Sequence, residues 1–360
     1  MLVADSDSLA LACDSLARLP RFALDTEFVR ERTYAAELAL VQLGGAERVH
    51  LVDPLAGADL APLVELLGNP GRTKVLHAGR QDLEVLLPLT GAPAAPVLDT
   101  QVAAALLGMP AQIGYGDLVN RELGVALAKG QARTDWSRRP LSPAQLEYAA
   151  DDVRYLLPLA ERLEERLAAR GRLAWLAEEC AALADPQLYR VDPEAAWQRF
   201  KGIESLPPPE QLRLRALARW REARAQRRNL PRAWVLADDA AREIARVAPR
   251  DVAAIKSLRV MPDGAVDKLG GEILDALAQA ARDSADGLVQ RLEGRPTPEE
   301  QARAKRLTEE LRRVAQAVEI APEVLATQRD LKKLARGERD VASLRGWRRE
   351  VIGAALLRAL

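Results

Sequence analysis

The stretch FALDTEFVRERTYAAELALVQL, Phe22–Leu43, decides the fold. The apolar run Phe22-Ala23-Leu24 leads into Asp25-Thr26-Glu27, and a second apolar run resumes over Glu37–Leu43. Two short apolar runs separated by a polar loop predict a β-hairpin at the centre of a sheet. Side chains alternate across a strand, so Asp25 and Glu27 point to the same face. Two adjacent carboxylates resist ionising together, and a divalent cation between them relieves that cost. An isolated Asp-x-Glu is ordinarily only a polar strand face, so the reading depends on what surrounds it.

Outward from the hairpin, residues 5–18 read as a helix before the first strand, capped by Asp5 or by Ser6. Arg48–Val52 reads as a third strand closed by Asp53-Pro54, and Leu60–Leu67 as a helix closed by Gly68-Asn69-Pro70. Lys74–His77 is a further strand, after which a helix opens with Asp82 in its first turns. Val97-Leu98 and a helix over Gln101–Leu107 continue the alternation of an α/β domain. Beyond Gly114 the pattern is almost wholly helical. Ser142-Pro143 has the form of an N-cap and first helical residue, and Tyr148 and Asp152 fall four apart on one face of the helix they open.

Later breaks divide the rest. Asp185-Pro186 and Asp192-Pro193 interrupt 185–206, Pro207-Pro208-Pro209 ends it, and a second break falls at 287–298. The expected organisation is therefore a catalytic domain over 1–184, a linker at 185–206, a helical module over 207–286, a linker at 287–298, and a second helical module over 299–360. The two modules share a plan: a long helix, a middle segment with Pro-Arg or Ala-Pro, a short helix, and a Gly-containing turn before the last helix.

Composition narrows the function classes. The chain has 360 residues, few aromatics and zero formal net charge. No apolar run is long enough to span a membrane, and the N-terminus lacks the pattern of a secretory signal. Cys13 and Cys180 are far apart, and with only His50 and His77 available a zinc site is not expected. Two isolated thiols suit a reducing cytoplasm. Charge is uneven: residues 1–200 carry 20 Lys and Arg against 28 Asp and Glu, and residues 201–360 carry 32 against 24. An acidic first half and a basic second half suit a metal-dependent domain joined to modules that touch polyanions, although basic helical modules also occur without such a role.

Three motifs now stand in order: Asp25-Thr26-Glu27-Phe28-Val29-Arg30, continuing to Leu40-Val41-Gln42-Leu43; His77-Ala78-Gly79-Arg80-Gln81-Asp82-Leu83-Glu84; and Tyr148-Ala149-Ala150-Asp151-Asp152-Val153. They resemble the DEDD superfamily of 3′–5′ exonucleases, in the branch with Tyr in the third motif. Lys129–Leu141, with Thr134-Asp135-Trp136 and Arg139-Pro140-Leu141, narrows the resemblance to bacterial ribonuclease D, and the two helical modules resemble HRDC domains. The resemblance runs nearly end to end. It implies an α/β ribonuclease H-like catalytic domain, a mixed sheet with flanking helices, followed by two small all-α HRDC domains.

It also implies two divalent ions, Mg²⁺ or Mn²⁺, held by Asp25, Glu27, Asp82 and Asp152. In that scheme Asp25 bridges the ions, Glu27 and Asp152 hold the one that activates water, Asp82 supports the second, and Tyr148 orients the water. The Tyr-x3-Asp spacing selects Asp152 over Asp151. The implied activity is release of nucleoside 5′-monophosphates from RNA 3′ ends, with tRNA precursors as substrate and no obligate protein partner. Further substrate contacts carry two readings each. Phe28 stacks on the terminal base or belongs to the core, and Gln42 reaches the sugar or is a buried amide. His77 touches the phosphate or is structural. Lys129, Arg138 and Arg139 hold phosphates or form a solvated loop. Trp136 packs that loop or stacks on a base, and the Arg221–Arg228 cluster is a solvated face or an RNA contact. The same chemistry on DNA and a non-catalytic RNA-binding role are the neighbouring readings. Matched RNA and DNA oligonucleotides separate the first. The intact carboxylate set weighs against the second.

Overall fold

The computed structural model describes residues 1–128, 130–131, 134–288 and 297–360. Its contacts divide into two units, residues 1–29, 38–189 and 297–360 in one, and residues 30–37 and 190–288 in the other.

The first unit is built on a six-stranded mixed sheet. In chain order the strands are β1 (Leu2–Val3), β2 (Arg21–Val29), β3 (Glu37–Gly44), β4 (Val49–Val52), β5 (Thr73–Leu76) and β6 (Val97–Asp99), and their spatial order is β1-β4-β3-β2-β5-β6. β3 and β4 are antiparallel, whereas β2, β5 and β6 run parallel. β1 was not expected; two residues give no periodic signal, and its pairing with β4 makes it a strand. Helices α1 (Ser6–Ala17), α2 (Ala61–Gly68), α3 (Arg80–Thr90), α4 (Thr100–Leu106), α5 (Tyr115–Leu123), α6 (Pro143–Arg154), α7 (Leu156–Ala169) and α8 (Leu173–Leu183) flank the sheet. Asp5 caps α1 as its sequence suggests, and Ser142 and Gln145 form a capping box on α6.

Central β2 and β3 are apolar on both faces because both are covered. α6 lies very close to one face. A Cβ on Gly44 would meet Ala23 Cβ and the Val153 carbonyl oxygen, each at 3.0 Å, so the absence of a side chain there admits the helix.

Residues 297–360 share one apolar core with the sheet and its helices, rather than standing as a separate body. Trp347 stacks on Trp175 with ring centroids 4.7 Å apart, and its Nε1 donates to Glu179 at 2.8 Å. The Arg348 guanidinium pairs with the same carboxylate. Arg172 donates to the Leu106 carbonyl at 2.6 Å and also to the Val318 carbonyl.

The second unit contains α9 (Pro208–Arg228), α10 (Arg232–Val235), α11 (Asp238–Val247), α12 (Val252–Ser257) and α13 (Asp263–Ala280). Of residues 185–206, expected as a linker, 190–206 belong to this unit, and Ala196, Trp197, Phe200 and Ile203 pack with Leu214, Leu217 and Ile244 in its core. The prolines that suggested a linker open 3₁₀ turns, which bring these apolar side chains to one side. Loop 30–37 joins this unit as well. Asn229, the left-handed residue ending α9, accepts from the backbone N–H of Tyr34 and Ala35 at 3.1 Å each, and Arg232 covers the Tyr34 ring at 4.6 Å.

The two helical segments share a pattern of turns and hydrogen bonds. α9 ends on left-handed Asn229, and the helix Pro298–Ala317 is followed by left-handed Glu319. Leu230 N–H donates to Ala225 at 3.0 Å, and Ile320 N–H to Ala315 at 3.1 Å. A four-residue helix follows each turn, and extended Leu236 and Ala326 close them.

Candidate active site

The sheet brings the three motifs to one place. Asp25 and Glu27 lie on β2, Asp82 in the first turn of α3, and Tyr148 and Asp152 on α6. Asp82 is delivered by a tight turn after β5. Ala78 is left-handed there, with φ of 55°, a conformation an alanine adopts at a cost of about 1 kcal/mol. Buried Asp99, at the end of β6, offsets that cost: its carboxylate accepts from the backbone N–H groups of Ala78 (3.1 Å), Gly79 (2.9 Å), Gln101 (2.8 Å) and Val102 (3.3 Å). Asp99 thus caps α4 and braces the turn that leads to Asp82. Its capping role was legible as Asp-Thr before a helix, but its brace across 20 residues was not.

The four carboxylates interact strongly. Burial, then Asp82, Asp152 and Glu27, hold Asp25 well above the usual carboxylate range. Burial and the charges of Asp152 and Asp82 push Glu27 up to about 8. Asp152 is raised to about 7 by burial and by Asp151. Burial raises Asp82 to about 6 against the opposing effect of its Thr26 hydrogen bonds. Tyr148 donates to Asp152, and burial followed by the nearby carboxylates raises the phenol above its ordinary value.

The donor set suits hard divalent cations: oxygen ligands only, carrying more negative charge than the protein itself neutralises. As the side chains stand, no three His, Cys, Asp or Glu residues among the described ones converge closely enough to hold an ion. Asp82 is turned onto Thr26, with Oδ1 accepting from Thr26 N at 3.1 Å and Oγ1 at 2.5 Å, and Asp152 is engaged by Tyr148. Asp151 is bound to Arg154, which leaves the Tyr-x3-Asp partner, Asp152, as the residue facing the cluster.

Beside it, a cleft of about 490 Å³ is lined by Tyr115, Asp117, Asn120, Leu127, Tyr148 and Asp152. Tyr115 gave no motif signal; its hydroxyl donates to the Asp151 carbonyl at 3.0 Å, holding the last turn of α6. Trp136 is 2% exposed and packs behind Tyr148, centroids 6.1 Å apart, so it packs rather than stacking on a base.

Several residues expected to touch substrate do other work. Gln42 is fully buried, which fits the reading of it as a buried amide. His77 uses Nε2 on the Ile113 carbonyl at 3.0 Å and Nδ1 on Thr100 Oγ1 at 2.9 Å, a structural role in which neither nitrogen is left for a phosphate. Arg139 is likewise structural: Nε and Nη2 grip Asp53 at 2.6 and 2.7 Å, and its remaining hydrogens go to the carbonyls of Ala39, Trp136 and Arg138. Arg138 is exposed and Phe28 half-buried, which leaves both accessible from solvent. Lys129 lies outside the described residues. In the second unit Arg221 is buried, bound to the Leu236 carbonyl and Asp238, and Arg224 pairs with Glu272; only Arg227 and Arg228 of that cluster are exposed.

Residues 1–168 match the family model described as 3′-5′ exonuclease, and residues 210–277 match the HRDC domain. The chain is 42% identical to ribonuclease D of Granulibacter bethesdensis, over 98% of this chain and 90% of that one. It is 44% identical to ribonuclease D of Gluconacetobacter diazotrophicus, over 98% and 91%. The crystal structure of Escherichia coli RNase D, described as an exoribonuclease involved in structured RNA processing, superposes with a TM-score of 0.89 at 33% identity, covering 100% of this chain and 98% of that one. The mixed sheet with its flanking helices is therefore ribonuclease H-like, followed by a helical HRDC domain.

Proposed function

The chain belongs to the ribonuclease D family of 3′–5′ exoribonucleases, and from that premise we propose how its residues divide the work. The observation that carries the reading is the placement of four carboxylates on β2, the first turn of α3 and α6, with Tyr148 one turn before Asp152; burial is the main cause that raises each of them.

Asp25, Glu27, Asp82 and Asp152 would hold the two divalent ions, Mg²⁺ or Mn²⁺, that this reading calls for. Ions at such a site supply Lewis acidity toward the attacking water and the leaving 3′ oxygen. Tyr148 stays protonated at neutral pH, so it orients the water by hydrogen bonding rather than removing its proton. Water attacks the last phosphodiester, the bond to the 3′ oxygen breaks, and a nucleoside 5′-monophosphate leaves. Phe28 rests against the terminal nucleotide and Arg138 meets a phosphate near the cleft.

We take tRNA precursors with 3′ extensions as the biological substrate, and residues 299–360 as a second, diverged HRDC copy. The matching turns after Asn229 and Glu319 support that repeat. The free, buried thiols of Cys13 and Cys180 suit a cytoplasmic setting. Among the described residues no helix is long and apolar enough to cross a membrane.

The test is a 5′-labelled RNA with a single-stranded 3′ tail, incubated with Mg²⁺ or Mn²⁺, with EDTA, and with Asp25→Asn. A ladder shortening from the 3′ end, absent with EDTA and in the variant, is the expected result. No shortening with any divalent ion overturns the site assignment. A matched DNA strand in parallel measures sugar selectivity.

A further inference from the structure

Gln42 is fully buried, and neither its Oε1 nor its Nε2 has a hydrogen-bond partner. A buried amide with both ends unpaired loses its hydration and gains nothing in return, so such a residue calls for a partner in the working protein.

Strand alternation points to a partner. β2 and β3 are neighbours joined by a hairpin loop, and the Gly44 position abuts Ala23. Taking Gly44 as opposite Ala23 across the hairpin, strand alternation sets Gln42 beside Asp25 and Leu40 beside Glu27, on the face where Gly44 meets Val153 of α6. On its other flank Gln42 pairs with Leu51 of β4, which is apolar. Above it α6 contributes Ala149, which packs with Leu40, and Val153, which meets Gly44. Directly opposite residues hold their Cβ atoms about 4.5–5.5 Å apart, within reach of an amide and a carboxylate through a rotamer change.

Resting on the exonuclease reading above, we propose that Gln42 is the positioning residue of Asp25: its Nε2 donates to one carboxylate oxygen when the site carries its cations, which fixes how Asp25 presents the other. Gln42 touches neither substrate nor the reacting atoms. Its effect is on cation affinity and, through that, on turnover.

The experiment compares wild type with Gln42→Met, of similar volume but without the amide. Mn²⁺ binding is followed by the electron paramagnetic resonance of free Mn²⁺, and turnover with the labelled RNA. Expected for Gln42→Met is a Mn²⁺ midpoint raised at least fivefold and kcat lowered at least tenfold, with KM for RNA within twofold. Should Gln42→Met not fold, Gln42→Asn retains the amide but draws it back by one methylene, and the same Mn²⁺ shift is expected. A folded variant matching wild type within twofold in midpoint and kcat overturns the proposal. So does one that loses only thermal stability. A wild type that takes up no Mn²⁺ overturns the metal-site assignment above and the proposal with it. Uptake by wild type with an unchanged variant overturns only the proposal.

Discussion

Thr26 donates its hydroxyl to Asp82 at 2.5 Å and its backbone N–H to the same oxygen at 3.1 Å, so the residue between the two β2 carboxylates holds the third carboxylate of the site. This contact ties the strand to α3 across 56 residues. Thr26→Val keeps the shape and removes the donor. A charge-assisted bond to a buried carboxylate contributes about 1.5–3 kcal/mol, and we expect that loss in chemical denaturation, with kcat reduced roughly tenfold. Unchanged stability would show that the hydroxyl contributes nothing to the site.

The carboxylate cluster predicts an unusual pH dependence. Glu27, Asp152 and Asp82 have folded-state values near 8, 7 and 6, above the unfolded values of about 4. Raised acids bind more protons folded than unfolded, so their contribution to stability is fully present below about pH 4 and is lost as pH rises through 6 to 8. In EDTA the melting temperature should therefore fall between pH 5 and pH 8.5. Divalent ions should raise it more at pH 8.5 than at pH 5, and Asp152→Asn should flatten the EDTA profile. A profile equally steep in that variant would place the titration elsewhere.

Arg139 gives a prediction that separates a structural cation from a phosphate contact. Its fork on Asp53 pins the 134–141 segment against β3 and β4. Burial alone would raise Asp53, but the Arg139 bonds and the Leu55 N–H outweigh it and hold the carboxyl below its ordinary value. Arg139→Met should cost about 2–3 kcal/mol, chiefly by stranding that carboxylate. The salt dependence of RNA binding should be unchanged. Arg138→Ala should do the reverse, lowering the slope of log affinity against log salt by about 1 at little cost in stability.

One methyl group should disturb the docking of the C-terminal segment. Gly108 has φ of 86°, and a Cβ there would stand 2.3 Å from the Glu319 carbonyl oxygen. Gly108→Ala combines that clash with left-handed strain, so we expect a loss of about 2–4 kcal/mol and faster cleavage of the 297–360 segment in limited proteolysis. Gly91 is also left-handed, with open space around it, and Gly91→Ala should cost only the strain of about 1 kcal/mol.

The sequence by itself determined the chemistry of this protein. Asp25 and Glu27 alternate on a strand and Tyr148 and Asp152 share a helical face, because strand and helix periods are local properties. Asp82 was legible for the same reason, as an acid in the first turn of a helix after a short strand. Tertiary structure decided which of the remaining polar residues were free to act. Arg139, His77 and Gln42 look alike in a sequence as candidates for substrate contact. Yet Arg139 is consumed by Asp53 86 residues away, His77 by Ile113 and Thr100, and Gln42 is sealed under α6. The Asp-Pro breaks at 185–186 and 192–193 suggested a linker over 185–206, but Trp197 and Phe200 fold into a core. Hydrogen-bond satisfaction and burial are set by partners distant in the chain, and local pattern carries no record of them.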